Sequence, residues 1–324
     1  MILVTGGSGL LGSELIYQLI NKGKKVRALV NQTPLKNFGS NYVETFKADI
    51  LDVVSLEDAM EGITEVYHCA GFVSYSPGMY EKLYKINVEG TENIVNAALY
   101  ANVKKLIHVS SVATLDKSEE KFTTEKMNFK EIHFESNYAK TKYLGELEVW
   151  RAMGEGLNAA IVNPSIILGD GNWNEGSSAI FKSIYNEFPW YTNGIAGFVD
   201  VRDVASAMII LMESENRDER FLLSAANESF KNIFSLIAKE FNKKIPHKKV
   251  TPFLADIVWR LEWIRSKFSG KKPLITKETA RSAFKETHYD NSKFLKSFPE
   301  FNYTPLNDTI NYCCNAMQQK LNKV

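Results

Sequence analysis

Up to about residue 165 the chain switches between two apolar patterns. Short unbroken apolar runs read as strands buried on both faces, and longer stretches with apolar residues every three or four positions read as amphipathic helices. Ile2–Thr5 is the first such run. Leu10, Leu11, Leu15, Ile16, Leu19 and Ile20 then recur at helical spacing, and Gly23 closes that helix as a C-terminal glycine should. "KKVRALV" and "NYVETFKADI" predict two further strands. "DVVSLEDAM" predicts a helix, with Ser55 as its N-cap and Asp58 three residues on. "EVYHCAG" is a strand, Tyr80–Ala101 a long helix, "KKLIHVSS" a strand, Ser136–Met153 a helix and "NAAIVNPS" a strand.

Strands alternating with helices imply an α/β fold, a doubly wound parallel sheet with helices on both faces. "LIHV" and "AAIV" have the unbroken apolar character of parallel strands. The pattern then gives way to Gly, Asn, Ser and aromatic residues in "LGDGNWNEGSSAIFKSIYNEFPWYTNG". "FVDVRDVASAMIILM" restores one strand and one helix, and the remainder is mostly helical. "PFLADIVWRLEWIRSKF" carries apolar residues at 253, 254, 257, 258, 261, 264 and 268, an amphipathic helix expected to pack on its neighbours. A lid, a dimer face (and so a homodimer) and a membrane-surface contact are the other readings of that stretch.

Composition narrows the function classes. The 324 residues are 44% hydrophobic and 24% charged, an ordinary globular balance, and the net charge of +1 provides no global field toward nucleic acid or acidic lipid. The local basic cluster Lys243, Lys244, Lys248 and Lys249 reads as solvated surface. Cys69, Cys313 and Cys314 lack metal-ligand spacing, and adjacent cysteines make a poor structural disulfide. The first apolar stretch is too short for a signal-peptide core, and no run approaches a membrane span. The expectation is a cytoplasmic protein without metal, nucleic-acid partner or membrane span.

Gly7-Ser8-Gly9-Leu10-Leu11-Gly12 fits G-x-G-x-x-G, after a strand and at the opening of a helix. That context makes it a dinucleotide fingerprint: the glycines bring backbone N–H groups, including those of Leu10 and Leu11, up to a pyrophosphate, and the helix N-terminus adds its dipole. Tyr138 and Lys142, in "NYAKTKYLGE", lie four residues apart, on one face of a helix. A phenol titrates near 10, and a neighbouring ammonium favours its ionised form, so Tyr138 can exchange a proton with an alcohol or carbonyl oxygen near neutral pH. Ser110 and Ser111 end the strand before that helix, at the sheet edge where doubly wound folds bind ligands.

Thr5-Gly6-x-x-Gly9-x-x-Gly12, with Ser111, Tyr138 and Lys142, resembles the extended branch of the short-chain dehydrogenase/reductase superfamily, the NAD(P)-dependent epimerase/dehydratases. The resemblance implies a Rossmann domain over 1–165, to which 198–225 return, and a smaller, mostly helical C-terminal substrate lobe over 166–324. It implies Ser111, Tyr138 and Lys142 as the catalytic set. Tyr138 and Lys142 also touch the cofactor, whose site takes in Thr5, Gly6, Gly9 and Gly12. Asp49-Ile50, in "KADILD", resembles the pair beside the adenine. Ala70 and Gly71, in "HCAG", resemble the segment along the ribose and nicotinamide, with His68 read as a packed strand residue. Asn87 matches a central-helix asparagine that buttresses the site or contacts cofactor; Pro164, with Ser165, resembles the stretch bordering the nicotinamide, and Ser110 is counted with the cofactor site although it points the other way from Ser111 at the strand end. Asn31 ends the second strand where NAD enzymes place a carboxylate, and Lys36 stands within reach of a 2′-phosphate, so NADP is favoured over NAD.

"INVEGT", "YLGELEVW", "IVNPSIILG" and "YDNSKFLKSFPEFNYTPLNDTI" resemble dihydroflavonol-reductase-like enzymes, which reduce a small-molecule carbonyl or oxidise the corresponding alcohol. A nucleotide-sugar epimerase or dehydratase shares the motifs. Its diphosphate is usually clamped by Arg, yet 152–201 holds no Arg and only Lys182. Trp173, Phe181, Tyr185, Phe188, Trp190, Tyr191 and Phe198 stand there instead and favour an apolar substrate, although Arg260, Arg265 or Arg281 can supply a clamp. A cofactor-binding redox sensor is the third reading, opposed by the intact Ser-Tyr-Lys set.

Overall fold

A computed structural model describes residues 1–39, 41–115, 121–126, 134–269 and 276–321. Its frame is a seven-stranded sheet. β1 (Ile2–Thr5) leads through α1 (Leu10–Asn21) to β2 (Val26–Val30) and β3 (Val43–Lys47). α2 (Val53–Met60) and β4 (Glu65–His68) follow, then α3 (Tyr80–Tyr84), a π-turn (Lys85–Glu89) and α4 (Gly90–Tyr100). β5 (Lys105–Val109), α5 (Asn137–Gly154), β6 (Ala159–Pro164), β7 (Ile166–Leu168), α6 (Ser178–Tyr185), β8 (Trp190–Tyr191), β9 (Ile195–Asp200), α7 (Val201–Glu213) and β10 (Glu219–Leu223) come next. The chain ends through β11 (Ala226–Ser229), α8 (Phe230–Glu240), β12 (Lys248–Lys249), α9 (Pro252–Ser269), α10 (Lys277–Ser282), α11 (Ser292–Ser297) and α12 (Leu306–Leu321).

The main sheet runs β10-β6-β5-β4-β1-β2-β3, every pair parallel. Its order reverses between β1 and β4, the crevice where doubly wound sheets bind dinucleotides. The apolar strands explain the arrangement: alternate side chains feed opposite layers. Val4 and Ile107 pack under α1 and α7, while Leu3, Val66 and Leu106 pack under α2, α4 and α5. A third cluster joins α6, α8 and α12 to β7 and β9.

Several expectations are corrected. Asp52, not Ser55, occupies the N-cap of α2; the Ser55 hydroxyl instead donates to the Asp52 carbonyl at 3.0 Å. The long helix from Tyr80 contains the π-turn, a device common at functional sites. The strand at Ile195–Asp200 does not join the main sheet. It pairs with β7 and β11 in a separate three-stranded sheet, and β10 takes the edge beside β6. α9 packs mainly on α10 and leaves much of its apolar stripe outside: Phe253 is 77% exposed and Leu261 60%. Helical periodicity records that a face is apolar, not that a partner lies against it. The side chain of Phe268, part of that stripe, lies outside the described residues. Among the described residues no helix is long and apolar enough to cross a membrane.

Candidate active site

The glycine turn joins β1 to α1. Gly6 adopts a positive φ of 67°, a conformation open to glycine, and a Cβ on it would lie 2.7 Å from the Ala70 nitrogen. A Cβ on Gly12 would lie 2.2 Å from the Gly6 carbonyl oxygen, so only glycine lets α1 pack this closely on the turn. Gly9, the N-cap of α1, is exposed, and among the described residues no side chain accepts from the first N–H groups of the helix. Leu11 and Gly12 are buried in that first turn and Leu10 is half-buried. The cradle fits a pyrophosphate: backbone donors at a helix N-terminus, a helix dipole and no Cβ in the way.

Gly9→Val tests that fit. Its backbone is extended, at φ −78° and ψ 174°, which valine accepts, and a Cβ there meets only the Gly6 carbonyl oxygen, at 3.3 Å. The variant is expected to keep the wild-type melting temperature and lose NAD(P)H binding in calorimetric titration. Normal binding by the folded variant would contradict the cradle.

Thr5 is fully buried and begins a hydrogen-bond chain. The Ala70 N–H donates to Thr5 Oγ1 at 3.0 Å, and Thr5 Oγ1 lies 2.8 Å from His68 Nδ1. His68 Nε2 lies 3.1 Å from Thr91 Oγ1, which donates to the Asn87 carbonyl at 2.8 Å. Thr5 therefore donates a hydrogen bond to Nδ1, and His68 is a neutral imidazole protonated at Nε2. Burial, aided by the Lys142 charge, pushes its pKa down to about 3. His68 braces the strand ends.

Asn87 lies in the π-turn, 1% exposed. Its amide nitrogen donates to the Phe72 carbonyl at 2.9 Å, and its oxygen accepts from the Phe72 N–H at 2.7 Å. Both ends of the amide are thus spent on the segment after Gly71. Ile50 packs against Gly90 at the start of α4. Asn31 Nδ2 donates to Asp49 Oδ2 at 2.8 Å, across the ends of β2 and β3, and Lys36 is exposed nearby in sequence.

Ser111 follows β5, and Tyr138 and Lys142 lie on α5, whose N-cap Ser136 accepts from the Ala139 N–H at 3.0 Å. The structure brings the three together. Burial raises the pKa of the Tyr138 phenol, and the Ser111 hydroxyl beside it opposes the rise. Lys142 donates to the Val109 carbonyl at 2.7 Å, and its Nζ would lie 3.7 Å from a Cβ on Gly71. Burial lowers its pKa to about 8, against the pull of Glu146 and Cys69. Ser110, counted with the cofactor site, turns away from Ser111 and its hydroxyl is 2.6 Å from a Glu146 oxygen. Successive residues of an extended segment point to opposite faces, so one serine of the pair must leave the site. Pro164 closes β6, and Ser165 beyond it is buried.

The aromatic residues expected around a substrate largely belong elsewhere. Phe181 and Phe198 are fully buried in the third core cluster, and Trp173 stacks edge-on against Tyr185. A tyrosine that the sequence reading missed stands beside Tyr138 instead. The Tyr75 ring meets Tyr138 edge-on at 5.7 Å. Tyr75 lies in a loop without periodicity, so no sequence spacing links the two.

Residues 2–223 match the family model described as the NAD dependent epimerase/dehydratase family. The chain belongs to that family. It is therefore an NAD(P)-dependent enzyme of the extended short-chain dehydrogenase/reductase superfamily, interconverting CH–OH and C=O groups. It is similar to sterol demethylase protein B of Methylococcus capsulatus, 29% identical over 257 residues that cover 78% of each chain. It is also similar to a dihydroflavonol 4-reductase-like protein of Synechocystis, 27% identical over 90% of this chain and 88% of that one. The crystal structure of gox2253 superposes with a TM-score of 0.83 at 27% identity, over 99% of this chain and 98% of that one.

Proposed function

We propose that this family member reduces an aldehyde or ketone reversibly, as dihydroflavonol-reductase-like enzymes do, with Ser111, Tyr138 and Lys142 as its reacting set. The observation that carries the reading is the burial of Tyr138 and Lys142 one helical turn apart on α5, with the Ser111 hydroxyl beside the phenol. A bound nicotinamide cofactor supplies hydride to the carbonyl carbon or accepts it from the alcohol. Ser111 donates a hydrogen bond to the substrate oxygen and orients it. Tyr138 gives that oxygen its proton on reduction and takes it back on oxidation. Lys142 supplies positive charge that eases the phenol's loss of a proton, and a donor for the cofactor ribose. Tyr75 covers one edge of Tyr138 and keeps water from it.

The rival reading, a nucleotide-sugar epimerase or dehydratase, needs a cation for the diphosphate. Arg260 and Arg265 are exposed on α9 and paired with Asp256 and Glu262, which leaves Arg281 of α10 as the remaining candidate of the three. NADH and NADPH oxidation, screened against aldehydes, ketones and nucleotide sugars, tests the choice. Turnover confined to nucleotide sugars would overturn the reductase reading. We place the enzyme in the cytoplasm, where the free thiols of Cys69, Cys313 and Cys314 stay reduced.

Both cofactors are expected to serve, NADPH modestly ahead, because two effects at the ribose nearly offset. Lys36 attracts a 2′-phosphate, while the Asp49 carboxylate bonded to Asn31 opposes one. Asn31→Asp adds a second carboxylate and is expected to move the NADPH:NADH preference toward NADH by about tenfold, roughly 1.4 kcal/mol. Asn31→Arg moves it the other way by less, because Asp49 takes part of the guanidinium's charge. Steady-state kinetics of the wild type and both variants checks this, and an unmoved ratio removes Asn31 from the ribose pocket.

A further inference from the structure

One turn beyond Lys142 on α5, Glu146 is 1% exposed. A carboxylate buried this deeply needs donors around both oxygens. Ser110 Oγ lies 2.6 Å from Oε2, and Thr114 Oγ1 and Asn163 Nδ2 each 3.0 Å. Arg220 Nη1 lies 2.9 Å from Oε1 and Trp150 Nε1 3.3 Å. Two of these groups also reach the Ser111 carbonyl: Thr114 Oγ1 at 2.9 Å and Asn163 Nδ2 at 3.2 Å. The serine loop is thus tied to one carboxylate on both sides, by the residue before Ser111 and the residue three beyond it. Arg220 extends the network, donating to the carbonyls of Glu125 and Lys126, in the stretch between Ser111 and Tyr138.

We propose that Glu146 is a positioning residue of the active site: its carboxylate sets the Ser111 loop against Tyr138 and serves as counter-charge to Lys142. This rests on the reading of Ser111, Tyr138 and Lys142 as the reacting set. Tyr138, Lys142 and Glu146 share one face of α5 at four-residue spacing. The titratable groups facing Lys142 from other elements are His68 and Cys69 at the end of β4 and His108 on β5. Burial holds both imidazoles neutral and pushes the Cys69 thiol up to about 12, so none of the three carries charge at pH 7. Tyr138 is likewise neutral there, which leaves Glu146 as the anion acting on Lys142 among these groups, with Arg220 of β10 on its far oxygen.

Two variants separate positioning from bracing. Glu146→Gln keeps the shape and removes the charge. Glu146→Leu with Arg220→Met removes the ion pair together, so the Arg220 guanidinium is not left buried without its carboxylate, and the fold should survive. In both, kcat for carbonyl reduction is expected to fall by about tenfold or more, with KM and cofactor Kd changing by less than about threefold. The Lys142 ammonium, followed by NMR of 13Cε-labelled lysine in the cofactor-free protein, is expected to titrate at lower pH than in the wild type. A folded double variant with wild-type kcat and an unmoved Lys142 titration would overturn the proposal and leave Glu146 a brace. Where the double variant does not fold, the same two readings on Glu146→Gln decide. The lysine titration needs neither substrate nor cofactor, so it reports on Glu146 even if the enzyme proves not to be a carbonyl reductase.

Discussion

Tyr138→Phe is expected to lower turnover by roughly 10²–10⁴ while leaving NAD(P)H affinity near the wild-type value. The substitution removes one oxygen. It leaves the ring that packs edge-on against Tyr75, so the fold around the site should be preserved. It also deletes the hydroxyl proposed to meet the substrate oxygen, the one that the Ser111 hydroxyl stands beside. The range is the usual effect of losing a general acid/base. Burial raises the Tyr138 pKa in the cofactor-free protein, so the wild-type phenol carries its proton through neutral pH and is ready to donate it on reduction. Single-turnover kinetics on the physiological substrate, with cofactor titration alongside, checks both halves. Near-wild-type turnover would remove Tyr138 from its role.

Lys142→Met should act on cofactor binding, pH dependence and stability together. Loss of the ammonium removes a donor to the ribose, and cofactor Kd is expected to rise about tenfold or more, roughly 1.4 kcal/mol. It also removes positive charge near the phenol, displacing the activity optimum of alcohol oxidation to higher pH. The stability effect has a definite sign. Burial holds the Lys142 pKa at about 8 in the folded protein, below the ordinary lysine value of 10.5. The unfolded chain therefore binds more protons between pH 8 and 10.5, and the wild type gains stability relative to Lys142→Met as pH rises through that window. Below pH 8 both states of the lysine are charged and the difference between the two proteins is flat. Urea unfolding at pH 7 and pH 10 measures the effect, and unchanged pH dependence together with unchanged cofactor affinity would sink the assignment.

The elements that could be read from the sequence are those whose signal is local. A parallel strand buried on both faces needs unbroken apolar residues, so Ile2–Thr5 and Lys105–Val109 announce themselves. The glycine turn is equally legible, because Gly6 needs a positive φ and Gly12 a missing Cβ. Tyr138 and Lys142 share a helical face whatever surrounds them. These features determine the sheet, the dinucleotide crevice and the helix that carries the phenol.

Other features depend on segments far apart in the chain. β9 has a buried strand's pattern, but its edge partners are β7 and β11, and backbone hydrogen bonding does not announce its partner. The apolar residues between 173 and 198 are chemically suited to a pocket or a core, and packing places Phe181 and Phe198 in the core. α9 shows the reverse case, an apolar stripe with much of its surface exposed. Tyr75 and Glu146 draw their meaning from neighbours in space: a ring edge on Tyr138, and a guanidinium supplied from β10. By itself the sequence determined the strands of the sheet, the glycine turn and the shared helical face of Tyr138 and Lys142, because each rests on covalent geometry and short-range periodicity. Tertiary structure alone decided what surrounds them, because burial and charge pairing are properties of distance between remote segments, which no local pattern encodes.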